Sequence, residues 1–517
     1  MAPQGRAAEM ASGARHDSGG GGEDYLATWH LAADLRKRSL RGGVATLTGQ
    51  FGQFAAQLIS TVVLARLLGP SDFGLVAMVS AITWFLAIFQ DLGLSTATIQ
   101  KHEISHDEVT ALFWVNVAVS FALALMVVGL APVLAFFYHQ PQLIGIARVM
   151  SLGFILGGLG IQHQAILQRQ MRFTTLAAIN VASYSAGAAV AVAMALAGAG
   201  YWALVALPLV PNGARTAAWW VACRWRPGRL RRTAGLRDLL AFGGYLTGFN
   251  TVNYVARNLD NVLIGWRWGP AALGQYSRAY SLLLMPLQQI SIPISNVAIS
   301  ALSRLQDDPD RYRRAYRQIL EKLTLLTSPL VAFLIGTSGW VIAVVLGPQW
   351  QEAARIFAWL GVAALVQPIA GTAGWLFTTQ HRGRELLTWG FIGAAIAVTS
   401  FVVGLPYGPV GVAEAYAMSN VLVFTPALIW HVGRRGPVSS RDIVAASLRP
   451  WLLGLAVLVA IATLRFFLPG LRPVPGLALA AAVSGTLMAG VLVFSRLGRE
   501  TVGDIRDLLA GWKKGAA

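Results

Sequence analysis

Long apolar runs separated by short polar breaks recur along the chain from residue 44 to residue 495. Each is close to the ~20 residues that an α-helix needs to cross ~30 Å of hydrocarbon, and none alternates with the two-residue period of a membrane strand. The pattern predicts an all-α polytopic membrane protein with about fourteen transmembrane helices. The spans are read at 44–64, 74–96, 111–137, 145–164, 174–196, 201–222, 238–264, 274–300, 319–346, 353–379, 386–404, 411–431, 444–468 and 474–495.

The breaks carry an internal echo. GPSDFG at 69–74 and GPAALG at 269–274 each close one span and open the next, 200 residues apart. Gly69, Pro70, Gly74 and Gly269, Pro270, Gly274 are therefore read as structural turns. In the spans before them, Gln50, Gln53, Gln57 and Thr61 hold the register of Asn250, Asn253, Arg257 and Asn261. GAGYWAL (198–204) and YGPVGVAEAY (407–416) open the sixth and twelfth spans in the same way. The chain thus divides into a six-helix bundle at 44–222, a second at 238–431 and two further helices within 444–495, the arithmetic of a transporter built from an internal repeat. Residues 1–43 are expected to be a flexible cytoplasmic tail with an amphipathic stretch near its end. A basic cytoplasmic linker follows at 223–237, and a cytoplasmic tail at 496–517.

Composition agrees: 55% of the 517 residues are hydrophobic, 12% are charged, and the mean hydropathy is +0.57. With the N-terminus inside, most of the 41 Lys and Arg fall in inner segments, and the outer loops hold only Arg66, Arg267, Arg465 and Arg472. This bias places both termini in the cytoplasm. The same topology accounts for the net charge of +18 and for CRWRPGRLRR at 223–232, which faces anionic headgroups rather than nucleic acid. The single cysteine, Cys223, gives no internal disulfide and no sign of metal or redox chemistry. Short outer loops and the lack of nucleotide-binding, metalloprotease or hydrolase motifs argue against an enzyme. No cofactor or metal is expected, and whether a proton or a sodium ion couples transport stays open.

Candidate chemistry lies inside the spans. Asn250, Asn253, Arg257 and Asn261 follow i, i+3, i+7, i+11 and share one helix face, which Tyr254 widens. Charge at that depth is costly and is tolerated facing a bundle interior or an aqueous cavity. Arg257 and Asp260 stand i, i+3. Two readings fit them: a mutually neutralised pair locking two helices, or a cavity arginine that binds an anionic group while Asp260 tunes it or carries a coupling proton. Arg278 sits between Tyr276 and Tyr280, either snorkelling to the interface or reaching the same cavity, and one of the tyrosines is placed to stack on a sugar ring. Gln50, Gln53 and Gln57 offer amide donors and acceptors, or serve as interhelix glue. Asp91 reads as a cap or gate near the inner end of the second span. Arg215 and Arg355 add cationic character, and the planar arginine fork suits pyrophosphate.

With these residues in view, the chain resembles the polysaccharide transporter family of the multidrug/oligosaccharidyl-lipid/polysaccharide exporter superfamily over nearly all of residues 40–495. The resemblance is carried by LARLLGPSDFGLVAM (64–78), FQDLGLSTATIQ (89–100), ARNLDNVLIG (256–265) and LGQYSRAYSLLLMP (273–286). It implies a MATE-like V of two six-helix bundles that alternates between inward-open and outward-open states. The implied cargo is an undecaprenyl-pyrophosphate-linked oligosaccharide for exopolysaccharide, O-antigen or related surface polysaccharide, flipped across the bacterial cytoplasmic membrane. It also implies membrane lipids, polysaccharide polymerase and glycosyltransferases as partners, and spans thirteen and fourteen as a groove for the polyprenyl tail. The positions it matches are Asp91, Arg257, Asp260, Arg278 and the Gly-Pro turns; the Gln/Asn stripe is read from periodicity alone. An ion-coupled multidrug antiporter of the same superfamily is the alternative, and would call for net acidic character in its cavity. A scaffold for the polymerase and transferases would need no cavity at all.

Overall fold

The computed structural model describes residues 35–91, 93–101, 104–229, 236–495, 498–500 and 503, with backbone alone over 35–41, at 44 and 47, and over 236–257. Within these the chain is helical. The first half comprises α1 (Leu35–Leu67), α2 (Pro70–Asp91), the short α3 (Leu94–Gln100), α4 (His106–Tyr138), α5 (Gln142–Arg169), α6 (Phe173–Leu196) and α7 (Tyr201–Ala222). The second opens with α8 (Leu236–Ser303), which Gly269 breaks into α8a (236–268) and α8b (270–303). There follow α9 (Pro309–Gly336), α10 (Ser338–Val345), α11 (Gln351–Thr379), α12 (Gly383–Gly404), α13 (Gly408–Ser419) and α14 (Thr425–Arg434), with a π-helical turn at Asn420–Phe424 between the last two. The chain ends with α15 (Ser440–Phe467) and α16 (Pro473–Phe494).

Ten helices among the described residues are long and apolar enough to cross a membrane, so this is a multi-pass membrane protein. They are fewer than the fourteen ranges expected for definite reasons. Residues 383–434 run on as one apolar stretch, α8 qualifies once, over Asn258–Ser303, and neither α1, with its glutamines, nor α7 is apolar enough to qualify. Local chemistry sets several starts. Ser105 with Glu108 and Ser439 with Asp442 form capping boxes, and Asp308 caps α9 ahead of Pro309. Gly269, Gly347 and Gly408 share a positive φ with ψ near 180° (78°, −174°; 109°, 178°; 80°, −172°), and each precedes a proline. That backbone is accessible to glycine and disfavours the αR region that a following proline also excludes.

The apolar packing has a distinctive layout. One buried cluster runs through both halves at the Gly-Pro end, joining Leu64, Met78, Tyr138 and Leu143 to Ile264, Tyr276, Trp350 and Phe357. At the opposite end the halves keep separate cores. One holds Phe113, Ile166, Trp219 and Trp225; the other holds Leu302, Tyr316, Phe377 and Val432. The halves therefore share a core at one end and keep separate cores at the other. Of the tails and linker expected at 1–43, 223–237 and 496–517, residues 1–34, 230–235, 496–497, 501–502 and 504–517 lie outside the described residues, and the backbone of 35–43 already belongs to α1.

Candidate functional site

Where the halves meet, their Gly-Pro turns interlock. A β-carbon on Gly74 would stand 1.7 Å from the Pro270 carbonyl oxygen, and one on Gly274 would stand 1.9 Å from that of Pro70. Side chains close the same end. The Gln349 amide and the Trp350 indole N–H both donate to the Ala65 carbonyl at the end of α1, at 2.7 and 2.9 Å. Gln275 braces this clasp, donating to the Gln349 carbonyl at 2.9 Å and accepting from the Ala353 N–H at 3.0 Å. Arg66 donates to the Val344 carbonyl, and Phe73 meets Trp350 edge-on, ring centres 5.3 Å apart.

Away from the clasp lies a cavity of about 570 Å³ between α1 and α8b. Gln50, Gln53 and Gln57 line one side; Gln288, Gln289 and Asn296 line the other; Phe54 and Phe173 complete it. The glutamine stripe of α1 is thus brought onto a cavity, whereas the three facing amides went unnoticed in the sequence. Their signal was two adjacent glutamines in LLLMPLQQISIPIS (282–295), where an apolar span would otherwise run unbroken.

A second cavity, about 520 Å³, lies inside the second half, bounded by α8, α9, α11, α12 and α13. Asp260 and Tyr280 line it together with Gln367, Tyr416 and Asn420. Asp260 is buried at 3% exposure and held in place: the Tyr276 hydroxyl donates to Oδ2 at 2.8 Å and the Asn261 N–H to Oδ1 at 2.7 Å. Tyr276 is itself buried at 1% and lies nearly parallel to Tyr280, so of the two rings read as sugar-stacking, Tyr280 alone reaches a cavity. The Oδ1 of Asn261 is buried without a hydrogen-bond partner among the described residues.

Arg278 lines neither cavity. Its guanidinium lies over the Phe73 ring, 4.9 Å from the centroid, where the halves meet, and its Nε is buried with no hydrogen-bond partner among the described residues. Asp91 accepts from the Ser95 N–H at 2.9 Å and from the Ser95 hydroxyl, holding the start of α3 after the left-handed Gly93. The side chains of Asn250, Asn253, Tyr254 and Arg257 lie outside the described residues, and the Arg257–Asp260 pairing with them. The residues expected to form one site therefore occupy three places: an amide cavity, an acidic cavity and the clasp between halves.

A polar network invisible to periodicity fastens α3 to the first half. Thr98 donates to Gln162 at 2.8 Å, Gln162 to Asn116 at 2.8 Å, and Gln90 to the Phe154 carbonyl at 2.8 Å. Arg169 adds bonds to the carbonyls of Thr98 and Lys101 at 3.0 and 2.6 Å. Most of the polar residues of FQDLGLSTATIQ thus serve the fold locally.

The family model described as polysaccharide biosynthesis protein matches residues 63–355, more than half of the chain. The protein belongs to the polysaccharide biosynthesis family. Among relatives, it is 24% identical to the lipopolysaccharide biosynthesis protein WzxC of Escherichia coli over 75% of this chain and 80% of that one. It is 26% identical to the succinoglycan biosynthesis transport protein ExoT of Rhizobium meliloti over 80% and 84%. In fold it is similar to the lipid II flippase MurJ in an inward closed conformation, with a TM-score of 0.67 at 12% identity, covering 87% of this chain and 98% of that one. An inward-facing MATE transporter of the multidrug/oligosaccharidyl-lipid/polysaccharide superfamily gives 0.57 at 15% identity, covering 80% and 96%. This member of the polysaccharide biosynthesis family therefore has the fold of membrane flippases and transporters, and its family and structural neighbours are transporters, not enzymes.

Proposed function

We propose that the protein is a flippase that carries an undecaprenyl-pyrophosphate-linked oligosaccharide across the bacterial cytoplasmic membrane by alternating access, for the assembly of a surface polysaccharide. In this reading the chain crosses the membrane fourteen times with both termini in the cytoplasm. The bundles at 44–222 and 238–431 are its moving halves, and the helices within 444–495 flank the polyprenyl tail. The observation that carries it is the layout of the cores: the halves are clasped at the Gly-Pro end, keep separate cores at the other, and enclose a polar cavity between them. A sugar chain cannot cross hydrocarbon without replacements for its hydration, and a cavity open on one side at a time supplies them. The relatives, a lipopolysaccharide biosynthesis protein and a succinoglycan biosynthesis transport protein, support the cargo class.

Arg257 is assigned to the diphosphate, with Arg278 joining it in the state in which the clasp over Phe73 opens, and Asp260 to coupling with a proton or sodium ion in the second cavity. A drug-antiporter reading rests on Asp260 alone, because the cavity between the halves has no acidic lining residue among those described. The deciding experiment is deletion of the gene in its host. Accumulation of a lipid-linked glycan on the cytoplasmic leaflet supports the flippase; an unaltered lipid pool with lost drug resistance supports the antiporter. Arg257→Ala and Arg278→Ala are each expected to abolish export while the protein still reaches the membrane, and full export by either variant removes that residue from diphosphate binding.

A further inference from the structure

Away from the clasp the halves keep separate cores, so each must hold its own end together. Both do so with the same turn. In the first half it joins α5 to α6. Met171 is left-handed (φ 54°), Arg172 follows at φ −82° and ψ 49°, and the N–H groups of Gln170, Met171 and Arg172 donate to the carbonyls of Ile166, Gln168 and Leu167. In the second half, 210 residues on, it joins α11 to α12. His381 is left-handed (φ 56°), Arg382 has φ −89° and ψ 46°, and Gln380, His381 and Arg382 donate to the carbonyls of Leu376, Thr378 and Phe377. Neither left-handed residue is glycine, so both turns hold a conformation that a side chain disfavours, and such backbone persists where its surroundings fix it.

Each turn presents an arginine. Arg172 donates to the Ala222 carbonyl, the last in α7, at 2.8 Å, and Arg382 donates to the Arg435 carbonyl, just past α14, at 2.7 Å. Carbonyls at a helix C-terminus lack intrahelical donors and carry partial negative charge, which a guanidinium meets. Three residues beyond each stapled carbonyl stands a plug, Trp225 or Val438, each 1% exposed in the core of its own half. The chain then crosses the start of an earlier helix in both halves. The Gly228 N–H donates to the Thr110 hydroxyl of α4 at 3.2 Å and its carbonyl accepts from the Trp114 indole at 3.0 Å, while Arg313 of α9 donates to the Pro437 carbonyl at 2.7 Å. The chemistry around the two arginines differs. Glu385 accepts from Arg382 at 2.9 and 2.6 Å and meets His431 at 2.7 Å, whereas Thr175 stands 210 residues before Glu385. Two halves that keep one geometry with different side chains are constrained in geometry rather than in residue type.

Resting on the alternating-access reading above, we propose that Arg172 and Arg382 are paired staples that keep the unclasped end of each half closed throughout the cycle. Opening then takes place between the halves, and neither α7 nor α14 leaves the turn that its arginine ties it to. Both arginines are positioning residues and act through the helix ends they hold.

The test introduces Thr174→Cys and Val221→Cys, two exposed positions on either side of the first staple, into the full-length protein carrying Cys223→Ala. Spin labels there are expected to give one narrow distance in this parent and a broadened distribution in Arg172→Ala, where loss of the staple lowers the preference for the closed end about fivefold. A bifunctional thiol reagent of matching length then bridges the same two cysteines in proteoliposomes that contain a fluorescent polyprenyl diphosphate bearing a trisaccharide of glucose and galactose. Bridging is expected to leave translocation by the parent unchanged and to restore the rate that Arg172→Ala has lost. Arrest of the bridged parent means that this end must open, and it overturns the proposal even if the alanine variant fails to fold. A parental distance distribution in Arg172→Ala overturns it as well. If the unbridged parent moves no carrier, the flippase reading fails, and the spin-label distances still decide whether Arg172 holds the end closed.

Discussion

Gly74 and Gly274 each press against the other half's Gly-Pro turn, so that the β-carbon of an alanine at either position would overlap a proline carbonyl oxygen, at 1.7 and 1.9 Å. Contact this close brings two helix backbones together, and small residues are what permit it. Flexible side-chain ends are not what stands in the way; the neighbour is backbone. Gly74→Ala and Gly274→Ala are therefore expected to drive the halves apart at this end. Cysteines at 66 and 344, whose native residues share a hydrogen bond through the long Arg66 side chain, should be bridged efficiently by a short bifunctional thiol reagent in the parent protein and poorly in either alanine variant. Undiminished cross-linking would show that the interlock does not hold this end closed.

Gly69 and Gly269 look equivalent in sequence but not in conformation. Gly269 has φ 78° and ψ −174°, whereas Gly69 lies outside the positive-φ region, and a β-carbon there would meet only the Asp72 carboxylate at 3.8 Å. Gly269→Ala is expected to cost about 1–3 kcal/mol as strained backbone, and Gly69→Ala about 0.5 kcal/mol or less. Thermal midpoints of the detergent-solubilised variants check the asymmetry, and equal shifts would remove it.

How far the sequence could be read follows from the range of each interaction. Apolar length alone marks the helices, since any segment that crosses lipid must satisfy its backbone internally. Periodicity brought Gln50, Gln53 and Gln57 onto one face, and the structure turns that face onto a cavity. What periodicity does not contain is the partner across the cavity: Gln288, Gln289 and Asn296 are uncharged residues without an echo in the first half. Tyr276 is likewise legible as an aromatic residue next to Arg278, but its burial against Asp260 depends on packing between α8a and α8b across the break at Gly269. The clasp of Gln349 and Trp350 on Ala65 joins residues more than 280 positions apart and leaves no local trace.

That clasp predicts a shift in the balance of states. Trp350→Phe keeps a ring against Phe73 and removes one of the two donors to the Ala65 carbonyl, a loss of about 1 kcal/mol, which corresponds to about a fivefold change in an equilibrium. A cysteine at 65 or 349 in that background should react faster with a membrane-impermeant maleimide added from the side of the Gly-Pro turns. Gln275→Leu, which deprives both the Gln349 carbonyl and the Ala353 N–H of a partner, should act in the same direction and more strongly. Unaltered labelling in both variants would mean that the clasp is incidental to closure.

The Tyr276 hydroxyl and the Asp260 carboxyl form a pair that separates structure from coupling. Hydrogen bonds to charged groups contribute about 1.5–3 kcal/mol, and a buried acceptor that loses its donor bears the cost of its own desolvation. Tyr276→Phe should therefore lower the thermal midpoint of the protein, whereas Asp260→Asn, which retains an oxygen acceptor for Tyr276, should lower it less. Their effects on translocation should run in the opposite order. Asp260→Asn removes the ionisable group from the second cavity and is expected to stop ion-driven movement of the lipid-linked cargo; Tyr276→Phe keeps the carboxyl in place and is expected only to slow it. In the Asp260→Asn background, Tyr276→Phe should add little further loss of activity, because residues in contact couple rather than add. Full translocation by Asp260→Asn under a proton or sodium gradient would move the coupling site elsewhere and leave Asp260 as a packing residue held by Tyr276.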